Sequence, residues 1–148
     1  MSSRTCRART SVAPLLAMAM ASCAQPPAAQ LANPASVNCA EQGGRHVVER
    51  TPGGAELGVC LFEDNRQCEE WALLRGQCPA GGRRVTGYVT PAARYCAITG
   101  GTYAITGRSG AADELGTCTL PSGMSCDADA FYRGMCPTAD AASSSPAR

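Results

Sequence analysis

The sequence predicts an α+β protein made of two small disulfide-stapled modules, each running helix, β-hairpin, helix. Three observations lead there. Eight cysteines fall into two sets of four with intervals of 21, 8 and 10 and then 22, 8 and 10 residues: Cys39, Cys60, Cys68 and Cys78, then Cys96, Cys118, Cys126 and Cys136. Landmarks of helix starts, helix stops and turns repeat with an offset of 57 or 58 residues, as Pro34 with Pro91, Gly43-Gly44 with Gly100-Gly101, Leu57-Gly58 with Leu115-Gly116, and Arg75-Gly76 with Arg133-Gly134. Finally, the 148 residues include ten cysteines but only two phenylalanines and one tryptophan, so covalent staples stand in for a large aromatic core.

Each element follows from local chemistry. In "NPASVNCAEQGG" Asn33 is an N-cap, Pro34 fits the first helical position, and Gly43-Gly44 ends the helix; "TPAARYCAITGG" repeats this grammar with Thr90, Pro91 and Gly100-Gly101. "RHVVERT" and "ELGVCLF" flank a Pro-Gly-Gly turn and read as a hairpin with Leu57, Val59 and Leu61 on one face; "TYAITGR" and "LGTCTL" flank a longer turn. The single difference in length between the copies is expected in that exposed turn, where "TPGG" faces "RSGAAD". "CEEWALLRG" and "CDADAFYRG" read as closing helices, with acids in the first turn and an Arg-Gly stop.

The predicted organisation is a signal segment over 1–22, a tether over 23–32, module 1 over 33–79, a linker over 80–89 able to add a strand, module 2 over 90–137, and a disordered tail over 138–148. The first segment has Arg4, Arg7 and Arg9, then an apolar run too short to span a bilayer, which needs about 20 residues. "MASC" resembles the lipobox of bacterial lipoproteins, with Cys23 as the acylated residue; "AMA" at 19–21 offers the alternative of ordinary signal-peptidase cleavage. Lipidation also accounts for an odd thiol, because Cys6 leaves with the signal and the other eight cysteines form an even set. Ala24 after Cys23 resembles lipoproteins sent to the outer membrane of Gram-negative bacteria, facing the periplasm; without lipidation the chain would be periplasmic or secreted.

Four cysteines per module suit disulfides better than zinc, which favours cysteine pairs two to four residues apart and here has a single histidine, His46, to draw on. No metal or other cofactor is expected. Three connectivities exist per module. The expected one ties the first helix to the end of the second, Cys39 to Cys78 and Cys96 to Cys136, and the hairpin to the start of the second helix, Cys60 to Cys68 and Cys118 to Cys126.

The quoted stretches "NPASVNCAEQGG", "ELGVCLF" and "CEEWALLRGQC" resemble a family of small exported bacterial domains, number 333 in the series of domains of unknown function and often labelled a hemolysin. Asn33 to Cys78 matches over the full length; Thr90 to Cys136 is a diverged copy with Asp129 in place of Trp71. The resemblance implies export, lipidation and a cysteine-stapled fold. A pore-former would need amphipathic strands or a hydrophobic helix able to enter lipid, and the sequence offers neither.

Composition argues against several activities. There is no lysine, all thirteen basic residues are arginine and the net charge is +1, so nothing marks a nucleic-acid partner. His46 beside Arg45 reads as a surface residue, Ser36, Ser109 and Ser122 lack a nucleophile motif, and Glu69, Glu70, Asp127 and Asp129 read as helix-dipole partners. Trp71 reads first as a core residue packed on the hairpin and alternatively as an exposed binding anchor. The expected function is therefore a non-enzymatic, lipid-anchored envelope protein, held to the bilayer by its acyl chains, with a binding or structural role toward an envelope protein partner. The alternatives are a protease inhibitor presenting "TPGGAE" or "RSGAADE", and a membrane-lytic protein.

Overall fold

The computed structural model describes residues 32–136. The signal segment, Cys23, the tail and nearly all of the tether lie outside the described residues. The first module contains α1 (Pro34–Glu41), β1 (Arg45–Arg50), β2 (Glu56–Phe62), β3 (Arg66–Glu69) and α2 (Glu70–Leu74). A two-residue strand β4 (Arg83–Arg84) follows, and then α3 (Pro91–Ile98), β5 (Thr102–Gly107), β6 (Leu115–Thr119), β7 (Ser125–Asp127) and α4 (Ala128–Tyr132) repeat the first order. All strand pairs are antiparallel, in sheets ordered β1-β2-β3-β4 and β5-β6-β7.

The expected helix starts are in place. The Asn33 side chain accepts the Ala35 N–H at 3.0 Å and Thr90 accepts the Ala93 N–H at 3.1 Å, each ahead of a proline. The Gly-Gly pairs do two different things. Gly43 and Gly100 sit at φ of +78° and +89°, the left-handed helix stop. Gly44 and Gly101 lie under disulfides, since a Cβ on Gly101 would meet the sulfurs of Cys118 and Cys96 at 2.7 and 2.8 Å.

Each module is a three-stranded meander rather than a plain hairpin. "CEEWALLRGQC" begins as strand β3, and its helix is only Glu70–Leu74. Cys68 pairs across the ladder with Cys60, while Glu69 turns the chain by accepting the N–H groups of Trp71 and Ala72 at 2.9 and 2.7 Å. Asp127 does the same for Ala130 in the second copy. The extra residue of the second copy is also placed differently from expectation. Arg50 pairs with Glu56 and Gly107 with Leu115, and the register slips between Ile105 and Gly107, so Thr106 is absorbed as a β-bulge inside the strand.

The disulfides correct the expected connectivity. The bridges are Cys39–Cys60, Cys68–Cys78, Cys96–Cys118 and Cys126–Cys136; none of Cys39–Cys78, Cys60–Cys68, Cys96–Cys136 or Cys118–Cys126 forms. The reason is topological. Helix α1 lies over β2, so Cys39 reaches Cys60, whereas the chain leaving α2 returns along β3, where Cys78 lies beside the Gln67 carbonyl and meets Cys68. In each module the first cysteine bonds the second and the third bonds the fourth, and Cys39, Cys60, Cys68 and Cys78 form one buried cluster with Ala72 and Leu73.

The second face of the first sheet is covered by the second module. Leu57 and Val59 pack with Val85 of the linker and Ile98 of α3, flanked by Val47, Leu61, Tyr88 and Tyr95. Leu57, Val59 and Leu61 thus share a face as expected. At the edge of this junction Arg94 of α3 makes two hydrogen bonds to the Glu49 carboxylate, at 2.8 and 2.9 Å, and a third to Gln67 at 2.7 Å. The linker belongs to the junction: β4 pairs with β3, and Arg83 donates to the Gly101 carbonyl at 3.2 Å.

Peptide mapping of the unreduced protein should recover Cys39–Cys60, Cys68–Cys78, Cys96–Cys118 and Cys126–Cys136; a peptide joining Cys60 to Cys68 would contradict the topology. From loop closure alone, each bridge contributes about 3 kcal/mol. A second prediction concerns alkaline pH. Burial first, then the Glu69 charge and Tyr132, push the Tyr95 phenol above its usual value. The fold favours the neutral phenol, so this stabilisation is present in full below about pH 10 and is lost as pH rises through the folded value. Denaturant titrations between about pH 8 and pH 11 should show an alkaline loss of stability that is smaller in Tyr95→Phe.

Candidate functional site

The most organised polar cluster centres on Glu70. Its position, first in α2 and packed against the start of α1, buries it to 5% exposure. One carboxylate oxygen accepts the Asn33 side-chain amide at 2.8 Å, and the other accepts the Ser36 hydroxyl at 2.7 Å and lies 3.0 Å from His46 Nε2. Gly58 makes room for it, because a Cβ there would lie 2.8 Å from Glu70 Cγ and closer still to the carboxyl group. A carboxylate taken out of water costs several kcal/mol unless donors replace its hydration, at about 1.5–3 kcal/mol per charged hydrogen bond. Here three donors from α1 and β1 converge on it.

This arrangement changes the reading of two residues. Glu70 does not act as a surface partner of the helix dipole, a role left to Glu69 at the cap. His46, though its side chain is 32% exposed, is tied to Glu70. Ser36 and His46 both bond the carboxylate rather than each other, so their hydrogen-bonding capacity goes into holding α1, β1 and α2 together.

The second copy replaces the cluster as a set. Asn33, Ser36, His46 and Glu70 correspond to Thr90, Ala93, Tyr103 and Ala128. The Tyr103 ring packs against Gly116 where the Glu70 carboxyl packs against Gly58, and its hydroxyl donates to Glu114 at 3.0 Å. Burial and that Glu114 hydrogen bond raise the Tyr103 pKa. Beside it lies a cleft of about 530 Å³ whose wall includes Tyr103, Glu114, Asp127, Asp129, Tyr132 and Arg133. Arg133 pairs with Asp129 at 2.6 Å, and Arg108 pairs with Asp113.

Trp71 is 40% exposed and belongs to none of the buried clusters, so the expectation of a core tryptophan packed on the hairpin is not met. The reason is the late helix start: with Glu69 at the cap, Glu70, Ala72 and Leu73 face inward, and Trp71 and Leu74 face out together. Sequence reasoning missed the Glu70 cluster, although Asn33, Ser36, His46 and Glu70 all differ between the copies and could have been noticed as a set. The two turns suspected as inhibitor loops are braced. A Cβ on Gly53 would lie 2.6 Å from the Arg133 carbonyl, and Glu114 accepts the Gly110 N–H at 2.7 Å. All eight cysteines of the modules are in disulfides, and among the described residues no three His, Cys, Asp or Glu side chains are grouped to hold a metal. Among the same residues no helix is long and apolar enough to cross a membrane.

Glu70→Ala should cost about 3 kcal/mol, because three donors lose their acceptor. Adding Asn33→Thr, Ser36→Ala and His46→Tyr, the set found in the second copy, should restore part of that stability. Denaturant midpoints measure both, and simple additivity of the four changes would contradict a coupled cluster.

No solved structure matches the chain. The chain is similar to proteins named YoaF, described as uncharacterized, from Escherichia coli K12 and Shigella flexneri, with 39% identity over 57 residues in each case, covering 38% of this chain and 67% of the relative. The model of the domain of unknown function 333 (DUF333) matches residues 30–77 and again 87–135. With two matches that together cover more than half of its length, the chain belongs to the DUF333 family, as a tandem pair of its domains.

Proposed function

We propose that the protein is a non-enzymatic, exported lipoprotein of the bacterial envelope, anchored through Cys23, whose disulfide-stapled tandem modules serve a binding or structural role. The observation that carries this reading is the set of four bridges, two in each module, of which Cys39–Cys60, Cys68–Cys78 and Cys96–Cys118 are buried and Cys126–Cys136 is half-buried. Stability that rests on eight oxidised cysteines suits an oxidising compartment outside the cytosol. The lipobox-like "MASC" then gives the remaining thiol, Cys23, a use. The exposed Trp71 supports a contact role, because a large apolar ring left on the surface by a well-satisfied buried cluster is enriched at interaction surfaces.

A non-enzymatic role is supported by how the best catalytic candidates are spent. Ser36, His46 and Glu70 satisfy one another's hydrogen-bonding needs inside the fold, and this cluster is absent from the second module. Intact mass spectrometry of the protein from its native envelope tests the reading. The expected result is a mature chain starting at Cys23 that carries diacyl or triacyl modification and gains eight protons on reduction. An unmodified Cys23, or free thiols among the other eight, would contradict it.

A further inference from the structure

The exposed apolar residues of the helices gather on the first module. Val37 on α1 is 42% exposed, and Trp71 and Leu74 on α2 are each 40% exposed. Helices α1 and α2 pack on each other, and residues 71 and 74 share one face. The equivalent positions of the second module are used otherwise. Arg94 replaces Val37 and is committed to Glu49 and Gln67; Asp129 replaces Trp71 and pairs with Arg133; Tyr132 replaces Leu74 and packs its ring, tilted, against Tyr95 with centroids 5.3 Å apart.

This face also lies where the preceding chain enters the fold. Trp71 directly follows Glu70, and Glu70 holds the Asn33 side chain at 2.8 Å. Asn33 stands ten residues after Cys23. Ten residues span at most about 35 Å, even fully extended. A folded domain of about 105 residues has a radius of gyration near 13 Å, hence a diameter of roughly 33 Å and a path of about 52 Å around its surface from one side to the other. Ten residues are too few to pass around such a domain, so an anchor at Cys23 keeps the surface around Asn33 close to the bilayer.

We propose that the α1–α2 face of the first module, with Trp71 foremost, seats in the headgroup region of the same bilayer that holds the Cys23 anchor. Tryptophan suits that region because its ring is apolar and its N–H is polar. Leu74 on the same face of α2 and Val37 on the adjoining α1 add apolar area. The contact orients the modules on the membrane with the α1–α2 face against the lipid. It rests on anchoring at Cys23, and its test is separate from the test of lipidation.

Trp71 is the single tryptophan of the chain, so its fluorescence reports on this face alone. The chain from Cys23 onward, oxidised at its other cysteines, is coupled through the Cys23 thiol to a maleimide phospholipid in phosphatidylcholine–phosphatidylglycerol vesicles. Attachment is thereby guaranteed whatever the cell does to Cys23. With phospholipids brominated near the top of their acyl chains, Trp71 should shift to the blue and lose most of its emission. The double variant Trp71→Asp with Asp129→Trp, which moves the lone tryptophan to the second module, should stay unquenched. Unquenched, acrylamide-accessible Trp71 in the coupled protein, as expected of a face that docks a protein, would overturn the proposal, and so would equal quenching in both forms.

Discussion

The seat of the helix on the sheet is fixed by one contact, a disulfide resting on a glycine. Cys39–Cys60 lies over Gly44 and Cys96–Cys118 over Gly101, so helix and central strand approach until sulfur touches backbone. Any larger residue at either glycine would meet the sulfurs, and any other connectivity would pull the helix off the strand. Once that seat is set, the meander brings β3 alongside β2, and the return of the chain after α2 leaves Cys78 within reach of Cys68 only. The remaining core is small, with Ala35, Ala72 and Leu73 among its few buried apolar side chains, so the bridges supply what a module of this size lacks.

The two copies share that seat and differ in how each meets its neighbour. Val47, Val59 and Leu61 of the first sheet correspond to Ala104, Thr117 and Thr119 of the second, and Tyr95 and Ile98 of α3 correspond to Asn38 and Glu41 of α1. The first sheet is therefore apolar where it receives α3, and α3 is apolar where it docks. The corresponding face of the second sheet is less apolar, with Ala104, Thr117 and Thr119 beside an exposed Leu115.

What was legible in the sequence was the repeated part. Cysteine intervals, the Asn33-Pro34 and Thr90-Pro91 starts and the Gly-Gly stops all depend on neighbours close in the chain, and each stands where local chemistry places it. Connectivity was not legible, because it depends on the third strand, and β3 was hidden inside "CEEWALLRGQC", a stretch whose acids and Arg-Gly ending look helical throughout. Glu69 resolves the ambiguity by capping a helix that starts two residues after Cys68. The Glu70 cluster was illegible for a related reason: Asn33, Ser36, His46 and Glu70 lie on three elements, and only tertiary packing makes one site of them. The bulge at Thr106 followed the same rule, since a strand took up the residue that a turn was expected to absorb.

The two modules form one cooperative unit, because the first leaves an apolar sheet face that the linker and α3 cover together. Differential scanning calorimetry of the oxidised protein tests it directly through the ratio of calorimetric to van't Hoff enthalpy. A cooperative pair gives a single transition with a ratio near one, and Ile98→Ala lowers the melting temperature of that whole transition. Two resolved transitions, with Ile98→Ala moving only one of them, would mean that the modules fold independently.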